Sequence, residues 1–479
     1  MEAVAACGRL AALSLGLLLP APAIAQRPAL SPAVRPYVRV DTSLLALTNA
    51  RVIDGTGAAA RERQTLVIRD GIIAAAGPEG AVSVPPGALV MDLAGKTVMP
   101  GLVMVHEHLF YPTGPGVYGN LSESFVRLYL AGGVTAMRTG GNMNGFGEIN
   151  LKRAIDAGQK AGPWIDATAP YLQGPGLPGI GQMNILRNAA DAVELVRYWS
   201  DRGATSFKAY MHITRAELQA AAQEAHRRGL KITGHLCSVT YREAARAGID
   251  DLEHGFLAAS DFVADKKPDE CPSGGKVQAS LMALDLNGPA FTSLVAELVR
   301  RRVALTSTLT IFETFTPGRP LPPGLDMLVP PLRDTFLQQY ERTSRATSSN
   351  YTTLFPKAMA MELAYARAGG LVVAGTDPTG GGGVIPGFSN QRALELLVEA
   401  GFTPLEAIRI VTLNGATYLG RASTIGSVAV GKQADLVVVD GDPSQRIGDV
   451  RNVSLVFKQG VAYDPAALIA SVKGKVGIF

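Results

Sequence analysis

Two histidines spaced two residues apart are the residues of this sequence best suited to metal chemistry. His106 and His108 flank Glu107 at the end of an apolar run, and side chains at positions i and i+2 of a β-strand point to the same face. The chain has only 6 histidines in 479 residues, so such a pair seldom arises by chance. Neutral imidazoles bind zinc and related divalent metals. The pair therefore predicts part of a metal site, and the alternative is two ordinary half-buried histidines.

Further candidate ligands stand where other apolar runs end, namely Lys208, His235, His254 and Asp377. Four imidazoles and one carboxylate can hold two divalent metals, and imidazole-rich ligation suits zinc. Two close cations need a bridging anion, which an ammonium group cannot provide. The carbamate formed when CO2 adds to the neutral amine of Lys208 can provide it, and nearby cations would favour that reaction by lowering the pKa of the amine. The alternative for Lys208 is an ion pair with an acid at a barrel mouth.

The middle of the chain alternates strand-like runs with helix-like stretches. The clearest predicted helix spans 215–228, with Thr214 and Glu217 as a capping box and Gly229 at its end. Eight strands with helical spacers predict an α/β fold, a (β/α)8 TIM barrel over 100–421, whose active site would lie at the carboxyl ends of the strands. The candidate ligands fall at such ends. The eight runs are 102–108, 133–138, 164–169, 206–210, 231–235, 251–254, 303–309 and 371–376.

Both ends of the chain have a different pattern, with short strand-like runs between turns rich in glycine and proline. They predict a small β-sandwich domain formed by both termini, 26–99 plus 422–479. Asp70-Gly71 predicts a hairpin turn within it. The runs are 44–52, 64–68, 72–76 and 88–92 near the amino end, and 426–428, 434–439 and 453–458 near the carboxyl end, after a loose lead-in at 27–42. Two long segments inside the barrel, 257–290 and 313–355, are expected to be irregular lids or substrate walls.

The composition is that of a soluble globular protein with a large core, 47% hydrophobic and 18% charged. A net charge of +4 without a lysine and arginine cluster argues against nucleic-acid binding. Arg9, an apolar stretch at 10–19 and small residues at 23–25 predict a signal peptide over 1–25. We therefore expect export, by default to the periplasm, without a stable membrane anchor after cleavage. A homo-oligomer is possible.

Two cysteines, Cys237 and Cys271, remain after the predicted cleavage. In an oxidising compartment they can pair, which would tie the loop after the fifth strand to the segment after the sixth. The alternative is a buried free thiol at 237 and an exposed one at 271.

The motifs resemble those of the amidohydrolase superfamily, nearest to its imidazolonepropionase-like and prolidase-like members. The resemblance covers nearly all of the predicted mature chain. Two positions depart from the pattern: Met104 stands where many relatives carry an aspartate, and the glycine run at 380–383 leaves the groups that recognise the substrate undefined. The resemblance is carried by the stretches 98–108, 207–210, 233–235, 252–255, 374–377, 401–407, 426–427 and 431–436.

This resemblance implies a binuclear metal centre, expected to hold two Zn²⁺ ions, whose ligands are His106, His108, Lys208, His235, His254 and Asp377. The first two histidines and Asp377 would bind the more buried ion, and carboxylated Lys208 would bridge it to the other. A hydroxide between the metals would attack the substrate. Asp377 would be catalytic, accepting the proton of that hydroxide and passing it to the leaving amine.

The expected activity is hydrolysis of an amide C–N bond in a peptide-like or N-acyl amino acid substrate, a small molecule. The alternatives are hydrolysis of a cyclic amide, a lactone or an ester, and deamination. A non-catalytic binding protein is disfavoured because every metal position is filled. Tyr210 and His212 follow Lys208 at period two and are candidates for substrate contact, with rim packing as the alternative. Arg138 ends the second strand and is a candidate for a substrate carboxylate or, alternatively, for a loop-fixing salt bridge.

Overall fold

The computed structural model describes residues 27–478, apart from 115, 177–182 and 184. The predicted signal peptide at 1–25 lies outside the described residues. Within them, no helix is both long enough and apolar enough to cross a membrane.

Parallel strands form the middle of the described chain, and each of the eight predicted runs contains one. They are β7 (Leu102–Glu107), β10 (Val134–Thr139), β11 (Trp164–Asp166), β12 (Ser206–Ala209), β13 (Lys231–Gly234), β14 (Asp251–Glu253), β15 (Ala304–Ser307) and β16 (Val372–Ala374). Hydrogen bonds join them as a three-stranded sheet, β11-β10-β7, and a five-stranded sheet, β12-β13-β14-β15-β16. A hairpin of β8 (Phe110–Gly114) and β9 (Val117–Asn120) follows β7.

The two parallel sheets are linked at both edges. Thr168, just past β11, forms a parallel bridge with Ser206 of β12. On the other side the backbone amides of Thr376 and Asp377 donate to the carbonyl of His106, at 3.1 and 3.2 Å. The result is a TIM-barrel-like fold in which the strands end on one common side, as the sequence predicts.

Helices connect most of these strands. The predicted helix at 215–228 is confirmed, and its capping box is formed: Thr214 Oγ1 accepts from the amide of Glu217 at 3.3 Å, and the Glu217 carboxylate accepts from the amide of Thr214 at 2.8 Å. The helices are α1 (Ser122–Ala131), α2 (Phe146–Asp156), α3 (Ala189–Ser200), α4 (Arg215–Arg227), α5 (Tyr241–Ala247), α6 (Gly274–Ala283), α7 (Pro289–Arg300), α8 (Leu309–Glu313), α9 (Pro330–Ser344), α10 (Tyr351–Arg367), α11 (Phe388–Glu399), α12 (Pro404–Arg409), α13 (Gly415–Tyr418) and α14 (Pro465–Val472).

The two segments predicted to be irregular contain helices, so that prediction is wrong in part, although the stretches between the helices are irregular. They contain α6, α9 and the start of α10. Pro330 begins α9, a position where proline costs no hydrogen bond, and it therefore marks a helix start and not a loop. The glycine run at 380–383 packs against α9: a Cβ at Gly383 would lie 2.2 Å from the ring of Phe336. A Cβ at Gly381 would likewise lie 1.9 Å from the side chain of Gln339 in the same helix, so α9 leaves no room for side chains at these two positions.

An additional domain combines strands from both ends of the chain. Its strands are β1 (Val38–Val40), β2 (Leu44–Val52), β3 (Arg61–Arg69), β4 (Ile72–Pro78), β5 (Leu89–Asp92), β6 (Lys96–Pro100), β17 (Leu436–Asp440), β18 (Val453–Lys458) and β19 (Val461–Tyr463). Hydrogen bonds give the order β1-β19-β18-β17-β6-β2-β3-β4, with β5 beside β2. Antiparallel pairing of β6 with β17 joins the two ends.

The details of this domain differ from the sequence prediction in three ways. Residues 426–428 form no strand, and the supposed loose lead-in contains β1. The strands also belong to one hydrogen-bonded sheet. The sandwich of two packed sheets therefore stays a prediction, and so do the exact domain boundaries. The Asp70-Gly71 turn is confirmed: it joins β3 to β4, and both residues have positive φ, 50° and 81°.

Cys237 and Cys271 form a disulfide bond, with their Cα atoms 4.9 Å apart. The pairing that the sequence left open is therefore present. The bond joins the loop after β13 to the segment that precedes α6.

We expect Cys271→Ser to lower the free energy of unfolding by about 4 kcal/mol, because closing a loop of this length restricts the unfolded chain. Denaturant unfolding of the oxidised protein measures the loss, and the double variant Cys237→Ser/Cys271→Ser controls for the free thiol that remains at Cys237. Two free thiols in the denatured, unreduced protein would contradict the bond.

Candidate metal centre

The six predicted ligands surround one cavity of about 70 Å³ at the carboxyl ends of the parallel strands. They come from the ends of β7, β12, β13, β14 and β16, which are far apart in the sequence. The described residues that line the cavity are His106, His108, Phe110, Tyr118, Met143, Tyr171, Lys208, Tyr210, His235, His254, Asp377 and Thr379.

Asp377 contacts both histidines of the initial pair. Its Oδ1 lies 3.1 Å from Nε2 of His108 and 3.7 Å from Nε2 of His106. Ligand atoms of these three buried residues all lie within 4.8 Å of one another. Nδ1 of His106 and of His108 is buried without a hydrogen-bond partner among the described residues. Converging nitrogen and carboxylate donors with buried, unsatisfied polar atoms fit a divalent cation.

The second pair of histidines adjoins the first group. The rings of His235 and His254 are 4.3 Å apart between centroids, and those of His254 and His106 are 4.8 Å apart. Nδ1 of His254 lies 2.9 Å from Oγ1 of Thr308 and 3.7 Å from Oδ2 of Asp377. The 3.7 Å distance to Asp377 places His254 beside the group formed by His106, His108 and Asp377. The residues therefore fit two neighbouring cations.

His254 and Asp377 have positive φ angles, 69° and 55°. Residues other than glycine seldom adopt this region, and such strain persists where the surrounding structure holds it. His254 directly follows β14, and Asp377 lies in the loop just past β16. At both places the chain turns away from the strand while the side chain lines the cavity.

Burial keeps the imidazoles neutral. It lowers the pKa of His108 to about 4 and that of His235 to about 3. At neutral pH both rings therefore have a free lone pair for a metal. For Asp377, burial favours the neutral acid, but hydrogen bonds with His106 and His108 outweigh it and hold the pKa well below its usual value. The carboxylate is therefore ionised and able to bind a cation.

Lys208 is buried and contacts Glu253. Burial, and after it the positive charge of Arg138, lowers the pKa of the Lys208 amine well below its usual value. The neutral amine is the form that reacts with CO2. Carboxylation stays a prediction, which this environment favours.

Arg138 does not line the cavity, which corrects the prediction that it meets a substrate carboxylate. It is fully buried beneath the metal ligands, where Nη1 lies 3.2 Å from Oε1 of Glu253. Its guanidinium also donates to Oγ1 of Thr233 at 2.8 Å and to the carbonyl of Phe207 at 3.1 Å. A charge inside a barrel needs an acidic partner, so the side chain turns inward to Glu253.

We expect Arg138→Met to lower the free energy of unfolding by about 3–5 kcal/mol, because it leaves Glu253 buried without its cation. Chemical denaturation measures the loss, and adding Glu253→Gln should recover part of it. A variant of unchanged stability that binds substrate more weakly would return Arg138 to the substrate site.

Glu107 faces away from the cavity, as expected from its place between the two histidines. It accepts hydrogen bonds from the amide of Thr376 at 3.1 Å and from Asn390 Nδ2 at 2.9 Å. Burial raises its pKa to about 7. The residue therefore ties β7 to the loop that carries Asp377.

A family model described as Amidohydrolase family matches residues 336–470. An imidazolonepropionase of Porphyromonas gingivalis is 27% identical over 398 residues, which cover 78% of this chain and 82% of the relative. An enamidase of Eubacterium barkeri is 27% identical over 178 residues, which cover 32% of this chain and 44% of that protein.

Solved structures extend the similarity over almost the whole chain. A prolidase candidate from Bifidobacterium longum is 26% identical, with a TM-score of 0.65, and the match covers 90% of this chain and 99% of that one. The family model, the imidazolonepropionase and the prolidase candidate together support the assignment of this chain to the amidohydrolase superfamily. This amidohydrolase is an enzyme that hydrolyses C–N bonds and acts on a small-molecule substrate. A bottromycin amidohydrolase, 20% identical with a TM-score of 0.69 over 94% of this chain and 95% of that one, shares its fold.

The two remaining predicted contacts of the amidohydrolase have different surroundings. Tyr210 lines the cavity, its ring 5.1 Å from that of His235. His212 does not line it. The backbone amide of His212 donates to Oε1 of Gln173, and the imidazole lies beside the loop at Gly176. Substrate contact by Tyr210 stays a prediction that its position supports, whereas His212 lies outside the lining.

Sequence reasoning missed several residues of the site. Thr379 donates to Oδ1 of Asp377 at 2.8 Å and so orients that carboxylate. Phe110 could have been found, since it continues the period-two spacing of the histidine pair. The others come from hairpins and loops that have no periodic signal: Tyr118, Met143 and Tyr171.

Proposed function

We propose that this amidohydrolase uses two divalent cations, expected to be zinc, to hydrolyse the amide bond of a small N-acyl or peptide-like substrate. The observation that carries the proposal is the convergence of all six predicted ligands on one cavity. Carboxylated Lys208 would bridge the cations, because its buried side chain lines the same cavity as the histidines and its lowered pKa favours the neutral amine that reacts with CO2.

Bound cations would supply a Lewis acid for the scissile carbonyl and activate the attacking water. The chain itself supplies the proton transfers. Asp377 is ionised, and its Oδ1 faces His106 and His108 while its Oδ2 faces His254. We infer that Asp377 takes the proton of the attacking water and delivers it to the leaving amine. Thr379 keeps the carboxylate in place for both transfers.

Hydrolysis of a cyclic amide, a lactone or an ester would require the same groups, and so would a deamination. A screen of the metal-loaded protein against N-acyl amines, dipeptides, lactones and cyclic ureas separates these activities. Release of a free amine from the N-acyl amines or the dipeptides, without turnover of the lactones or cyclic ureas, supports the proposal. Turnover confined to lactones or cyclic ureas overturns it, and an Asp377→Asn sample identifies contaminating hydrolases.

We also propose that residues 1–25 direct export of the protein and are then removed. The supporting feature is the apolar stretch behind Arg9. Mass spectrometry of protein from a periplasmic extract tests this proposal. A mature chain that begins at Gln26 is expected, and retention of Met1 in cytoplasmic protein would overturn the proposal.

A further inference from the structure

Beside the metal ligands, the cavity is lined mainly by aromatic rings and a methionine. Phe110 stacks at 4.4 Å from the ring of His108, and Tyr118 meets Phe110 edge-on at 5.4 Å. Tyr171 and Tyr210 form a second pair, 4.9 Å between centroids. We call this surface the aromatic wall. Its members are Phe110, Tyr118, Met143, Tyr171 and Tyr210.

The members of the aromatic wall belong to one packed cluster. Phe110 and Tyr171 are buried in it, and the other three residues pack against them from the hairpin, the loop after β10 and the end of β12. The wall is therefore a continuous surface, which presents ring faces, ring edges, phenol groups and a thioether to a bound molecule. Phenols are uncharged at neutral pH, so the wall is uncharged too.

No cation in the described lining is available for a substrate carboxylate. Its formally charged side chains are Lys208 and Asp377, and both belong to the proposed metal centre. Arg138 lies beneath the centre, where it is paired with Glu253. A carboxylate placed against this wall would lose its hydration without gaining a counter-ion.

We infer that the substrate presents an uncharged aromatic group beside its scissile amide, so that an N-acyl amine is preferred over an N-acyl amino acid. The inference rests on the proposed amide hydrolysis and narrows its substrate class. Offset and edge-to-face contacts with the rings supply the recognition, and the thioether of Met143 adapts to the outer part of the group.

Three compounds test the inference with the metal-loaded enzyme. N-benzyl-phenylacetamide is uncharged. N-phenylacetyl-phenylglycine adds only a carboxylate to it, and N-phenylacetyl-phenylglycinol controls for the added size. We expect kcat/KM to be at least about tenfold higher for both uncharged compounds than for the acid, because of the lost hydration of the carboxylate. Equal or faster turnover of the acid overturns the inference and leaves amide hydrolysis standing.

Binding is measured separately in the metal-loaded Asp377→Asn variant, by the shift in Tm that each compound produces. A larger shift with the uncharged compounds, without turnover by the native enzyme, supports the aromatic recognition and overturns the proposed hydrolysis. Equal shifts with the acid and the uncharged compounds, or no shift with any compound, overturn the aromatic recognition.

Met143→Arg places a cation in the aromatic wall. It should raise the kcat/KM for the acid, relative to that for the uncharged compounds, by at least about tenfold. Met143→Leu is the matched control, because it keeps an apolar side chain of similar size, and the ratio should stay that of the native enzyme. A ratio that is the same in Met143→Arg and Met143→Leu would overturn the role assigned to the wall.

Discussion

Asp377→Asn is expected to lower kcat by about 10²–10⁴-fold, the range that general acid–base catalysis typically contributes. The amide has the size of the carboxylate and its oxygen still accepts from Thr379, but it cannot take a proton. Steady-state kinetics with an N-acyl amine measure the loss, and the change in KM should be much smaller.

The matched control is Asp265→Asn. Asp265 is an exposed acid that is paired with Lys276, so its neutralisation should leave turnover unchanged. Metal analysis of Asp377→Asn separates a lost proton transfer from a lost ligand: with the metal content retained, the fall in kcat belongs to the proton transfer. Near-normal turnover would remove Asp377 from that role.

Lys208→Ala is expected to lower the metal content from two ions per chain to one or fewer and to reduce hydrolysis to near background. Removing the side chain deletes the proposed bridge between the cations. Glu253 keeps Arg138 and Thr233 as partners in the variant, so the fold should survive. Elemental analysis after loading with zinc and bicarbonate measures the ions, and circular dichroism checks the fold.

Short carboxylic acids such as acetate or propionate should restore part of the metal content and activity of Lys208→Ala, because their oxygens can replace those of the carbamate. Lys276→Ala, a change at an exposed lysine, is the control for surface effects. Two metal ions and full activity in Lys208→Ala would show that Lys208 bridges nothing.

The strand runs and the ligand set were accessible from the sequence because both depend on local patterns. A period of two places His106 and His108 on one face, and an apolar run followed by a polar residue marks a strand end. Because the parallel strands of a barrel end on a common side, the sequence pattern is enough to predict that residues at these separate ends lie close together. The sequence did not predict α9 because Pro330, which begins this helix, is equally typical of a loop.

Contacts between residues distant in sequence were decided only by the tertiary structure. Arg138 stands at the end of a strand, where the sequence pattern does not distinguish a residue at the cavity from a buried one. Only the tertiary structure shows that its guanidinium is paired with Glu253, 115 residues away. The pairing of Cys237 with Cys271 depends on the folded chain, which brings their Cα atoms to 4.9 Å from each other. The aromatic wall likewise draws on four chain segments. Period and composition report on local neighbours, whereas charge pairing, cross-links and cavity walls depend on where the folded chain brings distant segments together.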